Sequence, residues 1–71
     1  MEKSLNFKIK RIEKRLTQMQ LRKIAGVSLQ TIVNIEKGRP IDGVSLGTLK
    51  KLANALDTTV QELFFSDEEE E

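Results

Sequence analysis

Cysteine and histidine are both absent from the 71 residues. Without thiols, no disulfide can staple the chain and no thiolate can hold a metal. Without imidazole, the usual side chain for proton transfer and zinc binding is missing as well. No apolar run approaches the roughly 20 residues of a membrane span. The start, Met1-Glu2-Lys3-Ser4, lacks the apolar core of a secretory leader. There is no alternating strand pattern and no internal repeat. No nucleophile with its base can be assembled, which argues against an enzyme. These absences point to one small soluble domain, cytoplasmic, with no metal or cofactor, and with a thin core that leaves it marginally stable.

The formal charge of +1 conceals a polarity along the chain. Residues 1–39 hold ten Lys and Arg against Glu2, Glu13 and Glu36, a surplus of seven positive charges. Residues 40–71 hold Lys50 and Lys51 against eight acids, a surplus of six negative charges. Such asymmetry suits a basic working face followed by an acidic tail. Clustered ordinary surface charge reads the same way.

Helical signals fill the rest. Leu5, Ile9, Ile12 and Leu16 recur at helical spacing and predict one apolar stripe on a first helix capped by Ser4; Phe7 lies off that stripe. Thr17 with Gln20 forms a capping box for a second helix, with Leu21, Ile24 and Ala25 facing inward. Gly26 ends it, because only glycine takes the left-handed terminal conformation at little cost. Ser28 caps a third helix that runs to about Lys37, with Ile32 and Ile35 inward and Gly38 as the stop. Residues 39–44, with Pro40 and Gly43, form a loop. Ser45 caps a fourth helix with Leu46, Leu49, Leu52, Ala53 and Leu56 on one face. After a break at Asp57-Thr58, Thr59 and Glu62 make another capping box, opening a short helix with Val60, Leu63 and Phe64. The expected fold is all-α, a compact five-helix domain over residues 1–65, with residues 66–71 as a disordered acidic tail.

The informative unit is residues 17–37. A tight glycine turn at Ala25-Gly26-Val27-Ser28 sends the third helix steeply across the second. Its N-terminal part is then free to enter a major groove. The second helix directs its own N-terminus, where Gln18 sits, at a phosphate.

The ordered set Thr17-Gln18, Leu21, Ala25-Gly26-Val27-Ser28, Thr31-Ile32, Ile35-Glu36-Lys37-Gly38 and Leu49-Lys50-Lys51-Leu52-Ala53-Asn54-Ala55-Leu56 resembles the Cro/phage-repressor helix-turn-helix (XRE) family. The likeness spans about Arg11 to Leu63. It implies a repressor-like DNA-binding domain acting as a transcriptional regulator on double-stranded DNA. One departure is Arg22, where the family usually carries a small alanine packed on the next helix; Arg22 must bend to solvent or hold the two helices slightly apart.

At 100° per residue, Gln30, Asn34 and Lys37 lie opposite Ile32 and Ile35, flanked by Leu29, Thr31 and Val33. Gln and Asn can bond an adenine edge, and Leu29 or Val33 can touch a thymine methyl. The base-contact candidates are therefore Leu29, Gln30, Thr31, Val33 and Asn34. A plain amphipathic helix would also place Gln30 and Asn34 outside, and Leu29 and Val33 partly in the core. The resemblance implies phosphate contacts at Gln18, Ser28, Lys37 and Arg39, with Lys10, Lys14 and Arg15 adding a diffuse basic field. It also implies a partly buried structural ion pair between Arg11 and Glu36. Val60, Leu63, Phe64 and Phe65 offer more apolar surface than one short helix can hide. They are the expected homodimer surface, with one phenylalanine inside and one facing a mate. An antitoxin-like or partner-binding module is the alternative, with Phe64, Phe65 and the acidic tail serving a protein partner.

Overall fold

Four of the five helices begin at a hydroxyl. Thr17, Ser28, Ser45 and Thr59 are all in extended backbone, and each side chain accepts from the backbone N–H three residues on. Each satisfies a donor that the first helical turn leaves unpaired. At Thr17 the box is complete, since the Gln20 side chain also accepts from the Thr17 N–H at 2.9 Å. At Thr59 the Glu62 carboxylate accepts from the Thr58 hydroxyl at 3.0 Å. A computed structural model describes residues 3–65, with side chains from residue 5. The helices are α1 (Lys3–Glu13), α2 (Gln18–Ala25), α3 (Leu29–Glu36), α4 (Leu46–Ala55) and α5 (Val60–Phe64). The expected tail, residues 66–71, lies outside the described residues; Ser4, expected to cap α1, lies inside the helix, which already includes Lys3.

Helix ends are as locally encoded as the starts. Gly26 adopts φ 72° and donates to the Arg22 carbonyl; Gly38 adopts φ 84° and donates to the Ile35 carbonyl. Arg15 and Asp57 take the same left-handed conformation without being glycine, at φ 58° and 59°. Around Arg15, its own N–H bonds the Ile12 carbonyl and the Leu16 N–H bonds the Arg11 carbonyl. Around Asp57, the equivalent bonds run to Asn54 and, from Thr58, to Ala53. Both pairs form the double-bonded terminus that usually selects glycine.

The core is Phe7, Leu21, Ile32, Ile35, Leu49, Leu52, Ala53, Leu56, Leu63 and Phe64, so every helix contributes. α1 packs on α3 and α5, α2 on α3 and α4, and α4 on α5. Three expectations about facing are corrected. Leu5, Ile9 and Ile12 do not face the core; they stay 44%, 42% and 54% exposed, while Phe7 is fully buried. Phe7 lies on the opposite side of the helix from that stripe. It packs on Phe64 with ring centroids 5.9 Å apart, and Asn6 beside it donates to the Glu62 carbonyl at 3.0 Å. These contacts with α5, together with the partner of Arg11 described below, turn α1's aliphatic stripe outward. Ile24 and Leu46 are also exposed, because Leu21 with Ala25, and Leu49 with Leu52 and Ala53, already fill the inward faces of α2 and α4. Arg22 is half-buried.

Candidate nucleic-acid interface

α3 is anchored by two side chains. Ile32 is fully buried and Ile35 nearly so, which fixes the rotation of the helix about its axis. Gln30 and Lys37 are consequently exposed, and Leu29, Thr31, Val33 and Asn34 half-buried. Gln30 Nε2 donates to Asn34 Oδ1 at 2.9 Å along the helix face. Thr31 is tied to the helix start: its N–H donates to Ser28 Oγ at 3.1 Å and its hydroxyl shares a 3.0 Å hydrogen bond with the same atom. Ser28 Oγ is thus the helix cap, and any phosphate contact there is additional to that work. Arg39 follows the Gly38 turn with its side chain exposed and its N–H bonded to the Asn34 carbonyl.

A polar network fixes α3 against the other helices. Arg11 Nε donates to Glu36 Oε2 at 2.6 Å and Arg11 Nη2 to Glu36 Oε1 at 3.1 Å. Arg11 Nη1 also donates to the Leu16 carbonyl at 2.7 Å. Gln18 Nε2 donates to Glu36 Oε1 at 3.1 Å. The Arg11 and Glu36 side chains are only 11% and 7% exposed. One carboxylate at the end of α3 therefore holds α1 and the start of α2, and through Arg11 the linker between them. Sequence reasoning placed Gln18 at a phosphate and missed this second bond, because the partner lies on another helix and no periodicity signals it. The second N–H of the Gln18 amide is not consumed by the contact.

The outlying basic residues divide. Lys37, Arg39 and Arg15 are exposed, while Lys10 lies 3.8 Å from Glu13 and Lys14 3.3 Å from Asp57. Such exposed pairs contribute little, but they blunt the expected field of Lys10 and Lys14. At the far end, Leu63 and Phe64 belong to the chain's own core: one phenylalanine lies inside and the other outside, as expected, while Leu63 is withdrawn from the expected mating surface. Of the four residues named for it, Phe65 is 43% exposed and Val60 half-buried. Among the described residues no group of acidic side chains could hold a metal ion, and no helix is long and apolar enough to cross a membrane.

A protein-family model described as helix-turn-helix matches residues 7–63, most of the chain. No curated protein and no solved structure matches it.

Proposed function

Because the chain belongs to the Cro/C1-type helix-turn-helix (XRE) family, a family of DNA-binding regulators, we propose that it is a sequence-specific transcriptional repressor that lays α3 in the major groove as a homodimer. The observation that carries this reading is the outward face of α3. Gln30, Asn34 and Lys37 share it, while Ile32 and Ile35 lock the opposite side into the core. Gln30 and Asn34 supply amide donors and acceptors for base edges, and Leu29, Thr31 and Val33 flank them for contact with thymine methyls. Lys37 and Arg39 reach phosphates beyond the end of α3, and Gln18 and Ser28 do so from the starts of α2 and α3. The Arg11–Glu36–Gln18 network keeps the two helices at one angle, so the contacts arrive as a set.

A homodimer would place two copies of α3 in successive major grooves, about 34–36 Å apart. Exposed Phe65, just after α5, and half-buried Val60 would meet a mate there. Selection of bound duplexes from a random-sequence pool tests the reading. A palindrome with half-sites one helical turn apart supports the dimeric repressor. A single half-site retains sequence-specific binding and removes the dimer. No enrichment overturns the reading.

One observation favours a protein partner as a second reading. Leu5, Ile9 and Ile12 form an exposed apolar stripe on α1. A regulator that also docks a second protein could use it. Co-purification of a stoichiometric partner, lost on Ile9→Lys, would support that role.

A further inference from the structure

Resting on the reading of α3 as the groove-facing helix, we propose that Gln30 and Asn34 read adenine as a single coupled unit rather than as two independent side chains. The basis is the 2.9 Å hydrogen bond from Gln30 Nε2 to Asn34 Oδ1, between residues one helical turn apart on the outward face. A side-chain amide carries one oxygen that only accepts and one nitrogen that only donates. The mutual bond spends one N–H of Gln30 and one lone pair of Asn34. What turns outward is then an acceptor, Gln30 Oε1, beside a donor, Asn34 Nδ2, with the second N–H of Gln30 left over. Reversing both amides exchanges the two positions and still leaves one acceptor and one donor.

The acceptor beside the donor matches adenine. In the major groove adenine presents the N7 acceptor and the N6 donor side by side, whereas guanine presents two acceptors, N7 and O6. Cytosine offers only a donor, and thymine an acceptor with a methyl group. A free glutamine can rotate its amide to suit either purine. An amide held by a neighbour cannot turn over without breaking the bond that holds it, so the coupling keeps an acceptor beside a donor and favours adenine. Two neighbouring protein groups are already engaged. The adjacent Thr31 hydroxyl is engaged with Ser28 at 3.0 Å, and the Asn34 backbone carbonyl is fixed by the Arg39 N–H at 3.1 Å. A pair that holds before DNA is met lowers the ordering cost of the contact.

The test uses the full chain and the best duplex from the random-pool selection, with Gln30→Ala and Asn34→Ala as variants. Helicity by circular dichroism verifies that each variant folds. The selected adenine facing the pair is replaced by 7-deazaadenine, which lacks the N7 acceptor, or by purine, which lacks the N6 amine. Wild-type binding should weaken about tenfold with each analogue, in the range of a bidentate base contact. Both single variants should lose sensitivity to both analogues. If Asn34→Ala keeps the preference for adenine and both sensitivities, Gln30 reads alone and the coupling is wrong. A defined operator in which no adenine depends on either residue also overturns the proposal, while leaving DNA binding intact. If the pool yields no enriched sequence, the reading of α3 fails, and the proposal falls with it.

Discussion

The guanidinium of Arg11 holds both carboxylate oxygens of Glu36, Nε to Oε2 at 2.6 Å and Nη2 to Oε1 at 3.1 Å, and so joins α1 to the last turn of α3. Removing one partner leaves a nearly buried charge without its mate. Arg11→Met or Glu36→Gln should each destabilise the domain by about 3–5 kcal/mol. The double variant should cost less than the sum, because the second change removes the stranded charge. Urea unfolding of the four proteins measures the cycle; additive costs would mean that the two groups do not interact.

Gln18 tests the same carboxylate from α2. Gln18→Ala removes one hydrogen bond to Glu36 and should cost about 1 kcal/mol. Gln18→Glu keeps the size but sets a second carboxylate at a 3.1 Å contact. It should cost more than alanine, and raising the salt concentration should recover part of the difference. Equal costs for the two variants would place Gln18 away from Glu36 in solution.

The local signals in the sequence report the ends of α2 to α5 well, and the start and facing of α1 poorly. Thr17, Gly26, Ser28 and Ser45 act through backbone groups within a few residues, so their roles are legible without the fold. The inward side of α1 depends on Phe64 and Glu36, which are distant in sequence. Three aliphatic residues at helical spacing outvote one phenylalanine in any local pattern, yet that phenylalanine has the aromatic partner. The pair Arg11–Glu36 came from family resemblance, and the third member of the network, Gln18, came only from the structure. The Gln30–Asn34 bond is compatible with i,i+4 spacing, but spacing alone does not tell whether two amides bond each other or water.

The α1 facing yields its own test. Phe7→Ala should destabilise by about 3–5 kcal/mol, as expected for truncating a fully buried aromatic ring. Ile9→Ala and Ile12→Ala should each stay within about 0.5 kcal/mol of wild type. Thermal or urea unfolding separates these outcomes, and the reverse ranking would restore the aliphatic stripe to the core.

Two left-handed helix ends predict changes of opposite sign. At Gly26, φ is 72° and an added Cβ would meet nothing within 4 Å. Gly26→Ala should therefore cost about 1–2 kcal/mol from backbone conformation alone. Arg15 pays that strain already, at φ 58° with an exposed side chain. Arg15→Gly should stabilise by about 0.5–1 kcal/mol, the relief exceeding the extra freedom glycine has when unfolded. Calorimetric melting temperatures should move down for the first variant and up for the second. A fall for both would mean that the Arg15 side chain contributes contacts outweighing its strain.

The most direct measurement is fluorescence anisotropy of the wild type, Gln30→Ala and Asn34→Ala on the selected duplex and on a shuffled duplex of equal length, at one salt concentration. Sequence-specific recognition by α3 predicts that wild type prefers the selected duplex by about a thousandfold or more. Each variant should lose about 1–3 kcal/mol on that duplex and almost nothing on the shuffled one. Equal losses on both duplexes, or equal wild-type affinity for the two, would contradict base readout by α3.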